Sequence, residues 1–336
     1  MKAILTAGLL LLLLAEQSPA PGGTAADGFP GQPLTILVPR AYGGASYQVS
    51  AAVAAAIERV TEVPVRVVSR PQNHGLEALD YFLSLPPNGY TILENQDLLI
   101  SQFVNGIIDL NPARGLEPLA VARAHSQLFV RSNENRFSDL SGLVQCARHQ
   151  LPTCRQARPL RVSLFGGRGA TEDQLFSAME QALGFDAAED SISDPAKRYL
   201  SLLQSDADLL LEQPGDVRTF LEHGLIKPIF TFRPERLPAF REIPSYADLD
   251  RPLPDLPRIR GFFVHPDTPP GRIDYLRRAF AAASRTPEIQ RYASELYISG
   301  DDILVDREGI TKFIEKFLQT YRRLIDKTPS DNPNQP

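Results

Sequence analysis

The sequence predicts an α/β fold built as two domains, on three observations. Segments of strand and helix character alternate along the chain, the pattern of layered α/β proteins. One unit, a buried strand closed by a glycine loop and followed by a helix, occurs at two well-separated places. About 310 residues follow a segment of export character, a length that suits two domains.

The export segment comes first. Met1-Lys2 gives a positive start, Ala3 to Ala15 is apolar and dominated by Leu9 to Leu14, and Glu16 to Ala26 is small and rich in Pro and Gly. An apolar run of about 13 residues falls short of the ~20 that span a bilayer, but fits the core of a secretory signal. Thr24-Ala25-Ala26 places cleavage before Asp27, making 1–26 a signal peptide and the mature protein periplasmic; an uncleaved anchor is the alternative.

In the mature chain Leu34–Val38 reads as a strand, Val49–Val60 as a helix and Val63–Ser69 as a second strand. Gly75–Leu85 reads as a helix closed by Pro86-Pro87-Asn88-Gly89, and Tyr90–Leu93 as a short strand. Glu117–Val130 holds two extended runs broken around Arg123 to Ser126. Leu160–Phe165 is a strand, and a helix is expected over Glu172–Leu183. Asp206–Leu211, Ile226–Phe232 and Ile259–Val264 are extended, with a helix over Asp216–His223. Helical patterns over Asp274–Arg285, Pro287–Tyr297 and Glu308–Ile325 finish the chain; in the last, Ile310, Phe313, Ile314, Phe317 and Tyr321 form a core stripe. The tail 328–336 is polar and expected to fray.

Composition removes several classes of function. The formal charge of −5 is mild and the basic residues are scattered, so no nucleic-acid partner is expected. Cys146 and Cys154, in an exported chain, read as a disulfide closing a small loop; free thiols, or a metal with His149, are the other readings. The five histidines lack metal-ligand spacing, there is no G-x-S-x-G elbow, and the close pairs Asp206/Asp208 and Asp301/Asp302 read as turns or strand edges. No enzyme activity, metal or cofactor is expected.

The repeated unit points to anion binding instead. In PRAYGGASYQ and FGGRGATEDQ a strand ends, glycines turn the backbone, and a helix starts. The free N–H groups and partial positive charge of such a start suit a carboxylate. Neither loop carries a nucleotide-binding pattern, and each on its own is also simple turn chemistry.

Six stretches, in order, resemble the substrate-binding proteins of tripartite tricarboxylate transporters, the Bug family. These are FPGQPLTILVPRAYGG (29–44), SRPQNHGLEALDYFLSLPPNGYTIL (69–93), residues 116–148, DADLLLEQPGDVRTFLEHGLIKPI (206–229), RPERLPAFREIPSYADL (233–249) and GFFVHPDTPPGRIDYLRRAF (261–280). The resemblance implies an α/β two-domain periplasmic binding protein, a Venus flytrap with two crossing segments between domains. Domain 1 would comprise 27–122 plus 235–336, and domain 2 would comprise 123–234. It also implies a monomer that captures a small organic anion, a carboxylate, for membrane transporter subunits. A sensory adaptor docking on a membrane signalling receptor is the alternative.

The ligand would then lie on the backbone of Tyr42, Gly43, Gly44, Ala45, Ser46 and Tyr47 and of Gly167, Arg168, Gly169, Ala170 and Thr171. The chain departs from the family pattern at several of these positions. Tyr47 stands where an acidic residue is usual, Arg40 replaces an aromatic residue and is a possible counter-ion, and Ile192-Ser193-Asp194 replaces a Tyr-x-Gly. Specificity is expected from Tyr42, Tyr47, Arg168 and the Asp97–Gln102 region.

Overall fold

The computed structural model describes residue 25 and residues 27–155, 158–166, 170–251 and 253–325. The signal-peptide reading (apart from Ala25), the polar tail, and Gly167, Arg168 and Gly169 lie outside the described residues. The first half of the chain runs β1 (Leu34–Val38), α1 (Ala45–Thr61), β2 (Val65–Ser69), α2 (Leu76–Ser84), β3 (Thr91–Gln96), α3 (Leu98–Val104) and β4 (Glu117–Ala124). It continues through β5 (Gln127–Arg131), α4 (Leu140–Ala147), β6 (Arg161–Leu164), α5 (Thr171–Leu183), β7 (Ala188–Ser191), α6 (Pro195–Leu203), β8 (Leu209–Glu212), α7 (Arg218–Glu222) and β9 (Ile226–Thr231). The last part is β10 (Arg258–Val264), α8 (Pro270–Ser284), α9 (Pro287–Glu295), β11 (Ile303–Leu304) and α10 (Arg307–Ile325).

These strands form two sheets, ordered β11-β4-β10-β3-β1-β2 and β7-β6-β8-β5-β9. The break expected near Arg123–Ser126 is where the chain changes sheet: β4 ends at Ala124 and β5 begins at Gln127. The chain returns between β9 and β10. The two crossings touch, since Phe232 N–H donates to the Ser126 carbonyl at 3.0 Å. In the first sheet β1 runs parallel to β2 and β3, whereas β10 lies antiparallel between β3 and β4.

Burial explains the layers. Ile36, Val38, Ile92 and Phe262 pack under α1 and α8 with Ile57, Leu276 and Phe280. The stripe of α10 buries Ile310, Ile314, Phe317 and Tyr321 in a second core. That core contains Leu93 of the first sheet and Leu175 of α5, so the domains share apolar packing along α10.

Several boundaries differ from expectation. The helix expected from Val49 starts at Ala45, because its first turn is polar and faces a cleft, which hides it from a search for apolar periodicity. The helix expected over Asp216–His223 is only Arg218–Glu222. The sulfurs of Cys146 and Cys154 are bonded, with Cα atoms 5.2 Å apart.

Candidate functional site

A cleft of about 790 Å3 lies between the domains. One wall is the loop after β1 and the first turn of α1; the other is Phe165, the start of α6 and the loop after β8.

On the first wall Pro39 ends β1, and the chain turns at Gly43, whose φ of +75° lies in the left-handed region that glycine tolerates. Gly44 is the N-cap of α1, extended and without a side chain, so no side chain caps the helix, and its first turn holds no acidic residue. The leading N–H groups and the positive end of the helix are left to whatever enters the cleft. Arg40, Gly44, Ala45 and Ser46 line it. Gln96 fixes two of them: its carbonyl accepts from Arg40 Nε at 3.1 Å and its amide donates to Ser46 Oγ. Gly43 and the two tyrosines are not part of this lining. Tyr42 is 79% exposed, and the Tyr47 ring packs on it with centroids 4.5 Å apart.

The start of α5 differs. Ala170 is its extended N-cap, but Glu172 and Asp173 occupy the first turn and both are buried. Thr171 Oγ1 donates to Asp97 Oδ2 at 2.8 Å, and Glu172 Oε2 accepts from the Phe165 N–H at 2.7 Å. The positive end of this helix is already met by carboxylates of the protein. The structure therefore places the two glycine-loop units differently: α1 presents a free end to the cleft, and α5 an occupied one.

Four arginines converge on the cleft: Arg40, Arg198, Arg258 and Arg260. Three are paired. Arg258 donates to Asp97 Oδ1 at 3.0 Å and to Glu172 Oε1 at 2.6 Å, which ties the first domain's β10 and β3 end to the second domain's α5. Burial works against the Arg258 charge, but Asp97 and then Glu172 more than compensate and hold it above its ordinary range. Burial likewise pushes the Glu172 carboxyl up, with Arg258 opposing. Both of its oxygens accept hydrogen bonds, as a carboxylate's would, and we assign the pair as ionised. Arg198 binds Glu212, which also accepts from Tyr199 at 3.2 Å. Arg260 reaches Gln213 at 3.2 Å and Asp216 at 3.5 Å, again across the domains.

Arg40 is the exception. Among the described residues no carboxylate lies within ion-pair reach of it, and burial, with Arg258 and Arg260 nearby, lowers its pKa despite Glu94 and Asp97. Phe165 stands among the cations, its ring centroid 5.8 Å from the Arg40 guanidinium, 5.4 Å from that of Arg198 and 5.3 Å from that of Arg258. Behind this wall Glu94, opposite Phe262 in the β3–β10 pairing, is fully buried with neither oxygen hydrogen-bonded. Burial pushes its carboxyl up to about 7, against the pull of Arg260, Ser46 and Arg40. Among the described residues no cluster of three or more His, Cys, Asp or Glu could hold a metal ion.

No family model matches the chain. It is 22% identical over 312 residues to the UPF0065 protein of the tcbD–tcbE intergenic region of Pseudomonas sp. (strain P51), covering 88% of each chain. A ligand-free TctC solute-binding protein from Polaromonas superposes with a TM-score of 0.70 at 20% identity, over 89% of this chain and 100% of that one. The resemblance to the Bug family stands. MatC from Rhodopseudomonas palustris, solved with bound malate, superposes with a TM-score of 0.70 at 17% identity, over 88% of this chain and 100% of that one. This Bug-like chain has the two-domain fold of the periplasmic binding proteins, and at such identities the likeness speaks for the fold alone.

Of the residues named from sequence, the structure places Arg40, Gly44, Ala45 and Ser46 on the cleft; Arg198, Arg258, Arg260, Glu212 and Asp216 also line it and were not named. A signal was present for two of them: Arg258 and Arg260 alternate at the head of an apolar strand, where unpaired charge would be untenable.

Proposed function

We propose that the protein is a periplasmic solute-binding protein, a monomer exported by a signal peptide over 1–26, that captures a small carboxylate. It hands the ligand to membrane subunits of a tripartite tricarboxylate-type transporter. Its domains, 27–122 with 235–336 and 123–234, close on the ligand about the two crossings. One observation carries the choice of ligand: the unpaired Arg40 and the uncapped start of α1 share one wall of the interdomain cleft. A carboxylate there satisfies a half-buried cation and orphan N–H groups at once, and charge-assisted hydrogen bonds of this kind are the stronger ones. The malate bound by MatC supports the same class of ligand here.

A thermal-shift screen of the mature protein against mono-, di- and tricarboxylates tests this reading. A ligand at a hundredfold excess over its dissociation constant should stabilise by about 2.7 kcal/mol. Arg40→Ala should abolish the shift while lowering the unliganded melting temperature only modestly, since the hydrogen bond to Gln96 and the contact with Phe165 are lost but no ion pair is. The proposal fails if no carboxylate shifts the wild-type transition.

A further inference from the structure

A second cavity, of about 80 Å3, lies inside the first domain between the sheet and α1, α8 and α9. Val53, Ala120, Phe262, Phe280, Ala283 and Ile289 are among its apolar lining. It shares Val49, Arg260, Tyr292 and Leu296 with the interdomain cleft, so the two are neighbours across one set of side chains. The shared residues sit where α1 leads. Ala45 and Val49 line the cleft, Val49 and Val53 line the cavity, and these positions recur every four residues on one helix face. At 1.5 Å per residue Val49 is about 6 Å and Val53 about 12 Å beyond the uncapped end of the helix.

Resting on the carboxylate reading above, we infer that the ligand is a monocarboxylate with an apolar tail. The head lies at Arg40 and the start of α1, and the tail follows Ala45, Val49 and Val53 into the apolar cavity. Beside the roughly 150 Å3 that holds a benzene ring, a cavity of this size takes the last three or so carbons of a chain, about half a ring. Its wall disfavours a second carboxylate: Arg260 is the only charged side chain lining it among the described residues, its two terminal nitrogens donate to Gln213 and Asp216, and only its Nε is left without a partner. The preferred ligand is therefore an amphipathic acid of medium chain length.

Calorimetric titration of the mature protein with butanoate, hexanoate and octanoate tests this, with malate and hexanedioate as controls. Affinity should rise about fourfold for each buried methylene. In Ala283→Phe, which fills the cavity from α8, the ratio of octanoate to butanoate affinity should fall towards one. Ala120→Leu fills it from the sheet and provides the same readout should the first variant not fold. Dicarboxylate binding with a flat monocarboxylate series would overturn the tail pocket and leave the carboxylate reading intact. An unchanged ratio in a folded, filled variant would likewise overturn it. No binding by any acid would overturn both.

Discussion

Glu94→Gln should stabilise the protein in alkaline solution and leave it unchanged in acid. Glu94 is fully buried, neither oxygen has a hydrogen-bond partner, and burial raises its carboxyl from 4.5 to about 7. A group whose folded pKa is raised holds its proton more tightly when folded, so between these values the native state binds more protons than the unfolded chain. Stability therefore falls as pH rises through that window and stays lower above it. Each tenfold in proton affinity corresponds to about 1.4 kcal/mol, so ionised Glu94 costs about 3 kcal/mol at pH 8 and under about 1 kcal/mol at pH 5. Glutamine mimics the protonated acid and escapes the penalty. Urea denaturation of both proteins at pH 5 and pH 8 should show the variant gaining about 3 kcal/mol at the higher pH only. Other titrating groups, Glu172 among them, are present in both proteins and largely cancel in the difference. A variant less stable than wild type at pH 8 would refute the reasoning, because Glu94 would then be a needed counter-ion of Arg40 and Arg260.

Three further outcomes follow from other contacts. Arg258→Ala removes the partner of buried Asp97 and Glu172 and should cost about 3–5 kcal/mol in urea denaturation at pH 7, as breaking buried pairs does. Reduction of Cys146–Cys154, which closes a short loop, should cost about 2–3 kcal/mol of stability, and since neither residue lines the cleft, ligand affinity of the folded protein should not move. Gly215→Ala would set a Cβ 2.8 Å from the Leu296 Cα and 2.9 Å from its carbonyl oxygen, backbone atoms of the other domain. It should weaken ligand binding by about 1–3 kcal/mol in calorimetry; equal affinity would mean that the domains stand apart there in the bound state.

The legibility of the fold followed burial. Strands such as Leu34–Val38 and Leu209–Glu212 are apolar throughout or nearly so, and the α10 stripe is wide, so their patterns are strong. Missed elements are short or exposed: β7 is Ala-Glu-Asp-Ser at a sheet edge, and α3 is seven residues, apolar but for Ser101 and Gln102, too short to show a period. Two missed helices did carry start signals. Asp139 caps α4 by accepting from the Gly142 N–H, and Asp194, followed by Pro195, caps α6 through the Lys197 N–H. The candidate site was legible where backbone makes it, at Gly44 to Ser46, and illegible where distant side chains meet. No local pattern links Arg258 to Glu172, 86 residues away.

The cleft's charges bear on how an anion is recognised. Arg258, Arg198 and Arg260 face Asp97, Glu172, Glu212 and Asp216, so the walls carry little net positive charge despite their arginines. These pairs hold the domains and one another, leaving Arg40 and the end of α1 to act on the ligand at short range. A cleft with a strong single-sign potential steers its ligand from a distance and loses on-rate steeply with salt. A near-balanced one does not, because partly buried contacts are screened much less than exposed charges. Association rates for a carboxylate, measured by stopped flow from low to high salt, should therefore change little, while Arg40→Ala should act on the dissociation rate. A steep salt dependence would mean that the acids paired with these arginines are protonated, and Glu172, raised by burial, would be the first to examine.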